Sequence, residues 1–304
     1  MCAIMSAPRD WESPVETFDG LSAELGVDLV VQRDDLLPFP LAGNKVRKLH
    51  AEAREAGWAR GDVLISNGGV DSNHCRTLAL MAAKLGAHAH LVLHGEAGSR
   101  EAGVLRLLTS MGATFDVVSS DEIADTIALR RTEYELSSDT VHVIAGGAHT
   151  RAGVQSYIDA GKVGLDAVGP DHVVVASGTG ATHAGLHIAA RRHAERVVVT
   201  GISIARQAER GRAAVMEAVG WVDPDAIESV RFDARFVDGG YARASATTRR
   251  VVDWAWRQGL PLDSTYTGKA MRGLVELVRE GTIRPGERVL FWHTGGLMNH
   301  LATL

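Results

Sequence analysis

Eight short, nearly continuous apolar runs punctuate the chain: Val27–Val31, Val63–Ser66, His90–Leu93, Phe115–Val118, Val141–Ile144, His172–Ala176, Val197–Thr200 and Val289–Trp292. They are rich in β-branched residues and too short for helices, and several are bounded by glycine. A strand that is apolar on both of its faces must be buried on both, which is the condition of a parallel sheet held between helices. Longer segments of helical periodicity lie between the runs, among them Arg76–Leu85, Gly103–Met111 and Ala184–His193. The pattern predicts an α/β protein with two parallel-sheet domains, helices on both faces of each. Four strand–helix units between Gly61 and Ala145 predict a smaller α/β domain over 48–156, inserted into a larger one made of 1–47 and 157–304.

Composition narrows the function without naming it. The 304 residues are 45% hydrophobic and 23% charged, as a globular chain requires. A net charge of −5 provides no positive field to gather nucleic acid or anionic lipid, although a local phosphate pocket is compatible with it. Two cysteines, Cys2 and Cys75, make no disulfide framework and suit a reducing compartment. The opening MCAIMSAPRDWESP has no basic flank leading into an apolar stretch, and no apolar run nears the ~20 residues that cross a bilayer. A cytoplasmic protein with no membrane contact is expected.

Three glycine-containing segments fall where a strand gives way to a loop or helix, the place where parallel sheets bind ligands. Ser177-Gly178-Thr179-Gly180-Ala181-Thr182-His183 follows the run VVVA. Glycine allows close backbone approach, and the N–H groups of a following helix face an anion. The segment reads equally well as a phosphate cup or as a capped turn; it is neither a Walker loop nor a G-x-G-x-x-G. Gly43-Asn44-Lys45-Val46-Arg47-Lys48 delivers lysine to a helix start, where the helix dipole disfavours it. Desolvation there would make an amine nucleophilic towards an aldehyde. Spacing alone does not choose Lys45 over Lys48. Ser66-Asn67-Gly68-Gly69-Val70-Asp71-Ser72-Asn73-His74 could hold a carboxylate, but by itself reads better as a turn capped by Ser72 or Asn73. Tyr266-Thr267-Gly268-Lys269 and His293-Thr294-Gly295-Gly296 complete the set. No spacing suggests a metal site and no G-x-S-x-G elbow occurs, while Cys75 reads as a small core residue.

In order, G-N-K-x-R-K-L, S-N-H-x-R, T-G-x-T-H-A-G, Y-T-G-K-A-M-x-G-L and H-T-G-G resemble the signature of the 1-aminocyclopropane-1-carboxylate (ACC) deaminase and D-cysteine desulfhydrase family. The resemblance spans Arg33 to Gly296. It implies the fold of the tryptophan synthase β subunit, pyridoxal 5′-phosphate as cofactor, a small amino acid as substrate and a homodimer. Residue by residue, Lys45 would carry the cofactor and move protons, and Asn73 would bond its phenolic oxygen. Gly178, Thr179, Gly180, Ala181 and Thr182 would cradle its phosphate, and Thr294 would meet its pyridine nitrogen. Ser72, grouped with Lys45 and Tyr266 as catalytic, would hold the substrate carboxylate together with Asn73 and His74. Tyr241, Tyr266, Thr267 and Gly295 would line the substrate side.

Within the family as it is known, ACC deaminases carry glutamate at the position of Thr267, whereas desulfhydrase-like members carry threonine. The expected reaction is therefore β-elimination, giving a 2-oxo acid, ammonia and a leaving group such as sulfide. ACC deamination, and β-replacement or lysis of an unusual amino acid, are the alternatives. The sequence departs from the family pattern at Asp71, where glutamine is usual, in a shortened Gly95–Arg100 segment, and after Tyr241, where a glycine and a proline are missing.

Overall fold

The computed structural model describes residues 12–40, 43–95, 99–137, 140–194 and 196–301. In chain order these hold β1 (Val15–Thr17), α1 (Asp19–Leu25), β2 (Asp28–Arg33), α2 (Asn44–Ala56), β3 (Val63–Gly69), α3 (Asn73–Leu85), β4 (His88–His94), α4 (Ser99–Ser110), β5 (Thr114–Val118), α5 (Ile123–Leu136) and β6 (Val141–Ile144). There follow α6 (Arg151–Val168), β7 (His172–Ser177), α7 (Ala181–His193), β8 (Val198–Ser203), α8 (Ala208–Gly220), β9 (Arg231–Asp233), α9 (Ala246–Arg257), α10 (Thr267–Arg279), β10 (Arg288–His293) and α11 (Leu297–Leu301).

Two sheets form. One has six strands in the order β1-β2-β10-β7-β8-β9, and the other four in the order β5-β4-β3-β6. Each of the eight apolar runs becomes a strand, and all pair in parallel. The all-parallel expectation fails at one edge, where the three-residue β1 runs antiparallel to β2. Burial on both faces is visible in β10: Val289 and Phe291 join the core beneath α1, α9 and α10, while Leu290 and Trp292 join the one beneath α6 and α7. A separate core lies between the four-stranded sheet and α2, α3 and α4, built on Leu49, Leu64, Leu78, Leu91 and Leu108.

The strands of the smaller sheet are inserted between β2 and β7, but the expected boundaries at 47/48 and 156/157 fall inside α2 and α6. Both helices are continuous and pack on each other. Fully buried Asp34 fastens this seam. Its carboxylate accepts from Tyr157 Oη of α6 at 2.5 Å, Trp292 Nε1 of β10 at 2.8 Å and Arg47 Nη2 of α2 at 3.1 Å. No helix among the described residues is long and apolar enough to cross a membrane.

Candidate active site

Two of the three glycine-containing segments, 43–48 and 177–183, line one cleft at the carboxyl ends of the strands. The third, 66–74, lies close enough for the charges of Lys45 and Lys48 to act on His74. Gly43 precedes α2 with φ +145°, and a Cβ there would stand 2.8 Å from the carbonyl oxygen of Thr294. This close approach lets Asn44 N donate to Thr294 O at 3.1 Å, while Asn44 Nδ2 donates to Thr182 Oγ1 at 3.1 Å. Asn44 thus joins the starts of α2 and α7 to the end of β10, and Lys45 follows it directly. Sequence reasoning assigned Asn44 no role; its place in the G-N-K turn was the available signal.

Lys45 opens into a narrow cleft lined also by Asn44, Lys48, Gly178, Thr179, Thr182, Tyr266 and Thr294. A roomier surface hollow beside Arg191, Arg192 and Asp223 shares none of these groups. Burial lowers the Lys45 amine to about 8. Lys48 is also driven well below the usual lysine range, by burial first and then by the charge of Lys45, and its Nζ donates to Gly147 O at 2.5 Å. The structure thus separates two lysines that spacing could not: Lys48 is bound to a main-chain oxygen and less than 2% exposed, while Lys45 retains some accessibility.

The 146–150 loop, also overlooked in the sequence, packs beneath the cup. Gly147, at φ +72°, lies where a Cβ would meet Thr179 Cγ2 at 2.8 Å. Gly180 has φ +117°, and a Cβ on it would stand 3.2 Å from Val215 and 3.3 Å from His149. Arg206 supports the far side, with Nη1 donating to Thr179 O at 3.2 Å. Ala181 begins α7 fully buried, so the free N–H groups of that helix start meet the cleft lined by Gly178 and Thr179.

Ser72 caps α3, its Oγ accepting from Cys75 N at 3.4 Å. Asn73 Oδ1 accepts from Arg76, a contact that does not engage its amide N–H groups. Tyr241 Oη and Tyr266 Oη share a 2.5 Å hydrogen bond, and burial raises the pKa of both phenols. Lys269 fixes that corner. Its buried Nζ donates to Ile204 O, Val237 O and Gly240 O at 2.7, 2.8 and 2.8 Å, the last immediately before Tyr241.

Three expected substrate contacts are engaged by other groups of the protein. Thr267 has no exposed surface: its Oγ1 donates to Asp263 Oδ1 at 2.8 Å, because the first residue of α10 turns inward to the carboxylate capping that helix. His74 is 1% exposed and pairs through Nε2 with Ser66 Oγ at 2.8 Å. Ser66 Oγ itself donates to Ile144 O, so Nε2 carries the proton and the unpartnered Nδ1 is the buried acceptor. The Gly295 N–H is directed to His293 Nδ1 at 3.2 Å rather than to a ligand. Cys75 is core, its thiol pushed up to about 12 by burial. Residues 96–98 of the shortened segment lie outside the described residues.

These features fit pyridoxal phosphate: a desolvated amine, glycines whose missing Cβ atoms leave a cradle, and a helix start for the phosphate. The chain belongs to the pyridoxal-phosphate dependent enzyme family, whose model matches residues 7–295. It is therefore an enzyme that uses this cofactor. It is 31% identical to a putative 1-aminocyclopropane-1-carboxylate deaminase of Pyrococcus horikoshii, with 94% of this chain and 90% of that one covered. Similarity to a D-cysteine desulfhydrase of Yersinia pestis is also 31%, covering 93% and 91%. Among solved structures, an ACC deaminase homologue superposes with a TM-score of 0.82 at 31% identity, covering 95% of this chain and 90% of that one. An O-ureido-L-serine synthase shares the fold, with a TM-score of 0.73 at 14% identity, covering 99% and 93%.

Proposed function

We propose that the protein catalyses β-elimination from a small amino acid of the D-cysteine type, releasing a 2-oxo acid, ammonia and the β-substituent. The observation that carries this reading is the convergence of the Lys45 amine, the Tyr266 phenol and the start of α7 on one cleft. The cofactor, when bound, delocalises the charge left at Cα when a C–H bond breaks. Lys45 would hold it covalently and, once displaced by the substrate amine, move the Cα proton. Gly178–Thr182 would bind the phosphate; Thr182 Oγ1 already accepts from Asn44, so its hydroxyl proton is free to donate. Asn73 Nδ2 would donate to the phenolic oxygen. Ser72 and Asn73 would orient the substrate carboxylate, and the Tyr241–Tyr266 pair would bound the side on which the β-substituent leaves. Thr294, uncharged, would meet the ring nitrogen without enforcing its protonation.

The second reading, ACC deamination, draws on the name of the Pyrococcus relative. It is disfavoured because Asp263, the carboxylate nearest Tyr266 in sequence, accepts the N–H groups of Thr265, Tyr266 and Thr267 and stands against Gly296. That leaves this turn no free acid for a ring carbon. A cytoplasmic homodimer with an inserted smaller domain is part of the same proposal; the free buried thiol of Cys75 suits that compartment.

The test compares kcat/KM for D-cysteine, L-cysteine, β-chloro-D-alanine and ACC by 2-oxo acid release, with Lys45→Ala as the inactive control. D-cysteine or β-chloro-D-alanine should lead, without any added nucleophile. ACC as the best substrate would reverse the assignment, and a requirement for an external nucleophile would indicate replacement chemistry.

A further inference from the structure

The turn between β3 and α3 holds a carboxylate that nothing in the proposed chemistry uses. Asp71 is half-buried, and its Oδ1 lies 3.3 Å from the point above Gly69 where a Cβ would stand. Tyr241 Cε1 lies 3.3 Å from the same point, so carboxylate and ring are neighbours across that glycine. The Tyr241 hydroxyl in turn bonds Tyr266, which lines the Lys45 cleft. Asp71 therefore stands on the substrate side, one ring back from the chemistry.

Local structure does not account for it. Capping of α3 belongs to Ser72. Buried Arg76, the nearest guanidinium in sequence, spends its donors on neutral acceptors: the main-chain oxygen of Asp71 at 2.8 Å, Asn73 Oδ1, and Asn299 Oδ1 at 2.6 Å. Asn299 Nδ2 approaches Asp71 Oδ2 only at 3.5 Å, the outer limit of a hydrogen bond. No ion pair among the described residues includes Asp71, although a half-buried carboxylate gains most from a charged partner. Its negative field reaches both phenols, reinforcing the effect of their burial.

We propose that Asp71 grades the small amino acids the site takes by side-chain charge, favouring those that carry a cation or a strong N–H donor, accepting uncharged ones such as D-cysteine, and excluding those with an anionic side chain. This rests on the proposed function, in that Tyr241 and Tyr266 must bound the side-chain space of the substrate. The ligand supplies the charge partner that the fold withholds, and discrimination arises as much from repelling the wrong charge as from attracting the right one.

Equilibrium binding to the holoenzyme, read from the shift in cofactor absorption, tests the idea. The probes are 2,3-diaminopropionate, alanine and aspartate, each as both enantiomers. In the wild type, 2,3-diaminopropionate should bind at least about tenfold more tightly than aspartate, both referenced to alanine, as expected for one favourable and one repelled charge. In Asp71→Asn the ratio should collapse to within about threefold, and Asp71→Gln carries the same test if the first variant is unstable. An equal ratio in wild type and variant overturns the inference alone. Failure to take up cofactor, or a cofactor band that no amino acid shifts, overturns the proposed function and this inference with it.

Discussion

Lys45 should behave as a neutral amine at a pH where ordinary lysines are almost wholly protonated. Its amine has been brought from 10.5 to about 8 by burial. At pH 7 roughly one molecule in ten then carries the unprotonated amine, against about one in 3000 for a lysine titrating at 10.5, a gain of about 300-fold in reactive species. Competitive labelling of cofactor-stripped protein with acetic anhydride, mapped by peptide mass across pH 6–11, reads this residue by residue. The Lys45 peptide should rise about tenfold per pH unit and level off near pH 8, and reloading with pyridoxal phosphate should follow the same curve. Lys162, exposed and paired with Asp166, serves as an internal surface reference for the labelling. A Lys45 midpoint at pH 10 or above would refute the argument, because it would mean the cleft admits enough water to solvate the ammonium ion.

Three further outcomes are expected. Gly180→Val, forcing a branched side chain onto φ +117° beside Val215 and His149, should leave far-UV dichroism intact but weaken cofactor retention at least about tenfold; normal retention would make this segment an ordinary turn. Asp34→Ala strands the Arg47 guanidinium and removes the acceptor of Tyr157 and Trp292, so urea titration should show a loss of about 3–5 kcal/mol, and an unmoved midpoint would refute the role of the seam. Lys269→Met removes three hydrogen bonds: Ile204 O loses its donor at about 1–3 kcal/mol, while Val237 O and Gly240 O keep the main-chain donors Gly240 N and Arg243 N. It should raise KM through a displaced Tyr241 while the cofactor stays bound, and loss of cofactor instead would place Lys269 in a different role.

What could be read from the sequence follows a physical line. The central strands declared themselves because both of their faces are buried, as Val173 to Ala176 show by contributing alternately to two cores, whereas β5 and β6, at the edges of the smaller sheet, kept apolar runs although Val117 and Val143 are exposed. Edge strands β1 and β9 have three residues apiece and mixed polarity, so they leave no periodic trace. The candidate site segments stood out because glycine and hydroxyl residues cluster in them at the carboxyl ends of strands. Side-chain direction was not legible. Thr267 follows Tyr266 in the chain, yet the start of α10 turns it onto Asp263. Nor could spacing reveal that Lys48, one helical position short of a full turn beyond Lys45, would be bonded to Gly147 O from a loop ninety-nine residues away. Long-range partners of this kind are fixed by how sheets and helices meet, and no local pattern records them.

The double attachment of Asn44 has a mechanical consequence. Its main chain is tied to β10 through Thr294 and its side chain to α7 through Thr182, whereas the rest of α2 contributes Val46, Leu49 and Ala53 to the core of the four-stranded sheet. The lysine root, from Asn44 to Arg47, is thus anchored to the six-stranded sheet, and the apolar face of the helix that bears it is anchored to the other. A rocking of the smaller sheet would have to turn about this stretch, carrying the Ser72–Asn73 turn relative to Lys45 while Gly178–Thr182 stays with the six-stranded sheet. Under the proposed roles, the grip on the cofactor phosphate and the grip on the substrate carboxylate are in that sense geared separately, and a variant that loosens the joint would change the second while sparing the first.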